Sequence, residues 1–161
     1  MIIPYRVPAT FTVTAANTDV DLLLIRPATN KPCRLVGWII SQSSEIGDAQ
    51  EETLRVTVRH MAATLTVTGG TSVTPVPPHP GVDTAAGMTA TVYHATVTTT
   101  SGASTVVEEL GWNVRNTPWE RWIPEELRPQ AINGEGLLVR CESTVADDVV
   151  VEVTFFVEEC V

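Results

Sequence analysis

The feature that most constrains this chain is an alternation of apolar and polar residues with a period of two, carried mainly by β-branched side chains. In the run TLRVTVRH, Leu54, Val56 and Val58 alternate with Arg55, a threonine and Arg59. Successive side chains of a β-strand point to opposite faces. The pattern therefore predicts a strand that buries the three apolar residues and turns the two arginines outward.

Similar segments recur along the chain with turn residues between them. They are TFTVTA, VDLLLIR, CRLVGWIIS, MTATVYHATVTTT, TVVEELGWNVR, GLLVRCES and VVVEVTFFVEE. CRLVGWIIS is almost continuously apolar, which predicts a strand covered on both faces. PEELRP alone resembles a helical turn, with Pro124 suited to its first position. Short, regularly spaced strands predict an all-β, single-domain antiparallel β-sandwich of about eight or more strands, jelly-roll-like in form.

Charge and length exclude several classes of protein. The chain has 161 residues, a size typical of one domain, and a formal net charge of -9. Binding to nucleic acid or to an anionic membrane surface requires clustered Lys and Arg, so neither partner is expected. The beginning of the chain lacks a signal-peptide pattern, which predicts synthesis in a cytoplasm. Cys33, Cys141 and Cys160 are widely spaced, which predicts buried or half-buried free thiols.

The residues that could carry chemistry are not arranged for catalysis. His60, His79 and His94 are isolated from one another and from carboxylates at regular offsets, whereas a cupin-like enzyme would need paired histidines. No nucleophile motif or phosphate-binding loop is present. We therefore expect no enzymatic activity, no catalytic residues, no metal and no cofactor, with calcium excluded less firmly.

Two clusters remain to be explained. The acids Asp48, Glu51 and Glu52 precede a predicted strand and are interpreted as a polar rim where a loop enters the core. The second cluster is a proline-interrupted segment rich in Trp and Arg, residue types that are enriched at interfaces and that can also stack on sugars. Its members are Trp112, Arg115, Trp119, Arg121 and Trp122. Core packing, a subunit interface and a sugar-binding platform all remain open for it.

The order of several landmarks resembles a family of small virion structural proteins of tailed bacteriophages and prophages. The strongest landmarks are SQSSEIGDAQEE, WNVR and the terminal FVEE, and the resemblance covers roughly residues 10–159. It implies a jelly-roll-like capsid decoration or cement protein that binds the major capsid protein on the virion surface after synthesis in the host cytoplasm. The alternative is a carbohydrate- or receptor-binding virion module that uses the region from Trp112 to Trp122.

The start of the chain leads to a prediction about assembly. Residues 1–9 are apolar but contain two prolines, so they are predicted to form an arm outside a β-sandwich domain of residues 10–161. The arm should lie over a neighbouring subunit or the capsid, and removing residues 1–8 should leave the domain folded. Capsid lattices offer three-fold positions, so we expect a homotrimer. The predicted interface residues are Ile2, Ile3, Tyr5, Trp112, Trp119, Trp122 and Arg121.

Overall fold

The computed structural model describes residues 2–15, 19–44, 53–62, 69–92, 103–116 and 118–160, which form β-strands and one short 3-10 helix. The strands are β1 (Ile2–Val13), β2 (Val20–Arg26), β3 (Cys33–Gln42), β4 (Thr53–Met61), β5 (Thr71–Val73), β6 (Thr89–Val92), β7 (Ser104–Asn113), β8 (Trp119–Trp122), β9 (Gln130–Ala131), β10 (Gly136–Cys141) and β11 (Val149–Cys160). The 3-10 helix, Glu125–Leu127, follows Pro124 and corresponds to the predicted helical turn. Across these ranges no helix is long and apolar enough to cross a membrane. The all-β class is confirmed.

The strands form two antiparallel sheets. The first has the order β1-β11-β3-β8, with β9 also paired to β3, and the second has the order β5-β6-β2-β10-β4-β7. The strands pair in a nested order from the two ends of the chain: β1 with β11, β2 with β10, β3 with the short β8, and β4 with β7. The predicted antiparallel β-sandwich is confirmed, and the jelly-roll form stays a prediction.

The hydrophobic core lies between the two sheets. Phe11 of β1 and Phe155 of β11 meet edge to face, with ring centroids 6.4 Å apart. On the opposite sheet Val56 and Val58 are buried in the same core. Arg55 is exposed and Arg59 is half-buried, so the predicted orientation of β4 is confirmed. Burial of this apolar surface is the main term that stabilises the fold.

The strand that is covered on both faces is β2 rather than β3. Every residue of β2 from Val20 to Ile25 is buried, and its Leu24 joins Met61 and Leu138 in a second small cluster. In β3 the inward side chains are buried, but the outward Val36 and Ile39 are only half-buried. The apolar run of β3 therefore supplies a partly exposed outer face of the first sheet, meaning the face turned away from the second sheet.

Residues 2–9 are not a separate arm but the first part of β1, which pairs with β11 from Ile2–Cys160 to Val13–Val149. The prolines are compatible with this pairing because of their register. Arg6 bonds Val76 through both its N–H and its C=O, on the side away from β11. The backbone nitrogens of Pro4 and Pro8 point to that same side. The absence of an N–H group on these prolines therefore costs no hydrogen bond to β11. Prolines thus confine β1 to the sheet edge without detaching it.

Candidate binding groove

The short strand β8 divides the aromatic segment between two environments. Its alternate residues Trp119 and Arg121 are half-buried and face the second sheet, whereas Glu120 and Trp122 are exposed on the outer face. Residues three apart in a strand point to opposite sides. Trp119 and Trp122 therefore cannot belong to one flat platform.

The inward tryptophans pack as part of the core. Trp119 contacts Trp38 of β3 edge to face at a centroid distance of 5.5 Å, and it stacks on Trp112 of β7 at 6.2 Å. Trp112 is only 2% exposed. Its indole Nε1–H donates to the carbonyl oxygen of Asn116 at 2.9 Å. These rings close one side of the sandwich, and Trp112 is not available to a sugar or to a partner.

Arg121 joins the two sheets through an ion pair. Its guanidinium lies on β8 of the first sheet and binds the carboxylate of Glu108 on β7 of the second, with an Nε–Oε1 distance of 2.9 Å. The other oxygen of Glu108 has no hydrogen-bond partner within the part of the chain that the structure describes. Arg121, predicted as an interface residue, thus has a structural contact inside the sandwich.

Trp122 is the exposed member of the cluster, and it leans over the neighbouring strand. It is 50% exposed and meets Phe156 of β11 at a centroid distance of 4.6 Å. Gly37 of β3 lies between them in the sheet, paired with both. A Cβ at residue 37 would lie 2.1 Å from the carbonyl oxygen of Arg121. The glycine therefore permits both the close approach of β8 and the contact of the two rings.

The two rings form the floor of a groove of about 130 Å³ on the outer face. The side chains around it are mostly apolar, and Arg6 contributes the one charged group. They belong to Pro4, Arg6, Val36, Pro78, Trp122, Phe156 and Val157. Tyr5 also borders the groove, but its hydroxyl donates to the carbonyl oxygen of Thr84 at 3.1 Å. The groove is thus an apolar recess beside a cation.

A segment of residues 74–88, the proline segment, forms one wall of the groove. Its Val76 bonds Arg6 as described for β1, and the amides of Gly87 and Met88 donate to Oε1 of Glu159 at 3.0 and 2.8 Å. Glu159 is buried, and its Oε2 lies 3.3 Å from Lys31 Nζ. The proline segment is therefore tied to the first sheet at both of its ends.

The residues predicted at the N-terminal interface have three different environments. Ile2 is 47% exposed, Ile3 is half-buried against the core, and Tyr5 is only 1% exposed. Ile2 and Ile3 border a second, open groove of about 310 Å³ that also includes Val82 of the proline segment. Of these three residues, Ile2 alone exposes a large apolar surface.

Of the histidines and acids singled out from the sequence, His60 and His79 lie within the described residues, and each contacts a different carboxylate. His60 contacts Glu135, with 2.9 Å between Nε2 and Oε2, and the backbone N–H of His79 donates to Asp83. Asp48, Glu51, Glu52 and His94 lie outside the described residues. Among the residues described, no group of three or more His, Cys, Asp and Glu could hold a metal ion.

The cysteines are free and largely inaccessible. Cys33 and Cys141 are buried and Cys160 is half-buried, as predicted. Burial raises the pKa of the Cys33 thiol to about 12 and that of Cys141 to about 11. Both therefore stay protonated at neutral pH and are weak nucleophiles.

Comparison of the chain with protein-family models, with curated proteins and with solved structures gave no match.

Proposed function

We propose that this protein is a non-enzymatic structural protein of a tailed-bacteriophage virion, which binds the major capsid protein on the outer capsid lattice and stabilises it. The landmarks SQSSEIGDAQEE, WNVR and FVEE supply the phage resemblance. The observation that carries the binding role is the apolar groove around Trp122 and Phe156 on the outer face of the first sheet. An exposed Trp beside an Arg is typical of interface hot spots.

The strand order supports the jelly-roll form that belongs to this proposal. Nested pairing of the first long strand with the last, and of the second with the next to last, is what results when one long hairpin is rolled into two sheets. The arrangement leaves the outer face of the first sheet, formed by β1, β11, β3 and β8, as a broad surface. Such a surface suits attachment to a lattice.

The distribution of charged side chains also favours a structural role over a catalytic one. Glu108, Glu142 and Glu158 are each bound by arginines from other strands or loops. Asp21, which is 1% exposed, is bound by Arg140 at 2.6 Å. These carboxylates hold strands together and do not line the groove.

The test is reconstitution on capsids that lack the protein. We expect the wild type to bind a regular lattice position visible by electron cryomicroscopy, and Trp122→Ala to reduce occupancy at least tenfold, as for a hot-spot residue. Val107→Ala is the matched control, since Val107 is 46% exposed but lies on β7 of the second sheet. Failure of the wild type to bind any capsid position would refute the proposal.

The rival function, recognition of a carbohydrate or receptor glycan, now depends on Trp122 alone, because Trp112 is buried. A glycan array separates the two functions. Specific binding of one sugar that is lost in Trp122→Ala, together with no capsid binding, would favour the rival.

A homotrimer is part of the proposal. Its support is the exposed apolar surface at one end of the molecule, where Ile2 and the 87%-exposed Val82 border the same open groove. Closed symmetry is the usual way to bury such surface. Light scattering should give three times the chain mass for the wild type and a lower mass for the Ile2→Ser, Val82→Ser double variant. A monomeric wild type would refute the trimer.

A further inference from the structure

We propose that the groove binds an extended segment of a partner protein, which inserts an apolar side chain beside a carboxylate. This inference rests on the proposed binding function and specifies its partner. The groove measures about 130 Å³, well below the roughly 300–1,000 Å³ of sites that enclose small molecules. Its size suits one side chain, and aromatic and proline walls of this kind receive proline or aliphatic anchors.

The scarcity of polar groups argues for a peptide over a sugar. A sugar ring carries several hydroxyls, and each one buried without a partner costs free energy. Around the groove the Arg6 guanidinium and the indole N–H of Trp122 are the side-chain donors, because the Tyr5 hydroxyl is committed to Thr84. An apolar side chain has no polar group to leave without a hydrogen bond, so its burial in such a recess does not carry this cost.

The positive charge of Arg6 predicts which kind of residue stands next to the apolar anchor side chain in the partner segment. Arg6 is exposed, and its guanidinium has no carboxylate partner in the described ranges of the chain. Glu158, on the same outer face, is already bound by Arg128 at 3.0 Å and lies 3.6 Å from Arg34. A partner carboxylate next to the anchor would therefore meet an available cation at the rim.

A trough on the same face gives the direction of the bound segment. It is open, follows the groove along β1 and β11, and is lined by both polar and apolar residues, among them Thr10, Ser41, Thr154, Pro8 and Ile39. At its far end lies the exposed Glu152, four residues along β11 from Phe156. Four extended residues span about 13 Å. The segment should thus carry a neutral or basic residue about four positions from its anchor.

The test measures binding of short peptides to the isolated protein. Binding is followed in ¹H–¹⁵N spectra through the indole N–H signal of Trp122 and the backbone amide signals of Trp122 and Phe156. The probes are acetyl-DPTTSK-amide and acetyl-DLTTSK-amide, a charge-reversed pair beginning with Lys and ending with Asp, and acetyl-DGTTSK-amide without an anchor. We expect the first two peptides to bind with dissociation constants in the millimolar range. The other peptides should bind at least about fivefold more weakly, because each lacks either the two ion pairs at the rim or the apolar anchor.

Charge exchange in the protein gives the sharpest outcome. In the Arg6→Glu, Glu152→Lys double variant the preference should reverse, so that the charge-reversed peptides bind more tightly. Equal binding of all probes, absence of shifts at Trp122, or shifts caused instead by a panel of monosaccharides would overturn the proposal. Because this test needs no capsid, decoration without peptide binding refutes only this inference, whereas peptide binding without decoration refutes only the proposed function.

Discussion

Glu159 is a fully buried carboxylate whose three contacts decide where the proline segment lies. One oxygen accepts the amides of Gly87 and Met88, and the other lies beside Lys31. Burying a charge is costly unless it is both paired and hydrogen-bonded, and here both conditions hold. Gly87 belongs to the same contact, since a Cβ there would lie 2.9 Å from the Glu159 carboxylate. A single residue of β11 thereby positions one wall of the groove.

We predict a graded response to substitution of Glu159. Glu159→Gln keeps an oxygen for the two amides and should lower the free energy of unfolding by about 1 kcal/mol, whereas Glu159→Ala leaves the amides unpaired and should cost about 2–4 kcal/mol. Urea unfolding measures both values, and limited proteolysis should show faster cleavage within residues 74–88 in the Ala variant. The control Glu126→Gln, at an exposed position, should match the wild type. Equal costs for Gln and Ala would contradict the described contacts.

At the scale of elements, one carboxylate links strands of the second sheet. Glu142 follows β10 and accepts hydrogen bonds from Thr57 and Arg59 of β4, while Arg55 lies 3.0 Å from its other oxygen. Burial raises the pKa of Glu142, but the hydrogen bonds from Arg59 and Thr57 and the two arginine charges outweigh burial and lower it. Arg55 extends the network to β7, where it binds Glu109 and lowers the pKa of that carboxyl.

The lowered pKa of Glu142 predicts a dependence of stability on pH. A carboxyl whose pKa is lower in the folded state stabilises the fold above its unfolded value, about 4.5, and this contribution is lost as the pH falls through the folded value. Glu142→Gln should therefore lower the unfolding free energy at pH 7 by about 1–3 kcal/mol, and the difference from wild type should shrink from pH 5 towards pH 2. Urea titrations across this range measure it, with Glu120→Gln as control. A difference that stayed constant with pH would show that the charge is not involved.

Local alternation predicts most of the long strands but not the groove. VDLLLIR coincides with β2, and TLRVTVRH coincides with most of β4. Tyr5 and Val7 carry the same period-two signal, but the two prolines favour an arm where the structure has an edge strand. The alternation rule also separates Trp119 from Trp122. The groove forms only where Pro4, Pro78 and Phe156 lie close together. Their proximity depends on pairing between strands distant in sequence, which no local sequence pattern predicts.

At the scale of the whole molecule, strands distant in sequence hold one another in place. β11 lies between β1 and β3, so the first and last strands of the chain share one sheet. Val7, Phe155 and Trp38 form one row across these three strands. Each is buried in the core shared with the second sheet. Contacts between such distant segments should make folding slow compared with helical proteins and should couple both sheets into one cooperative unit.

This arrangement predicts that a change near residue 7 destabilises the whole molecule. Val7 has no exposed surface, so Val7→Ala should lower the global free energy of unfolding by about 1–3 kcal/mol. Tryptophan fluorescence, which reports on the buried Trp38, and far-ultraviolet circular dichroism, which reports on all strands, should give one coincident transition. Ile2→Ala at the half-exposed end of β1 should change stability much less, since surface substitutions usually stay within about 0.5 kcal/mol. An unchanged transition in Val7→Ala, or a separate early one, would mean that residues 1–9 fold apart from the sandwich and would restore the predicted arm.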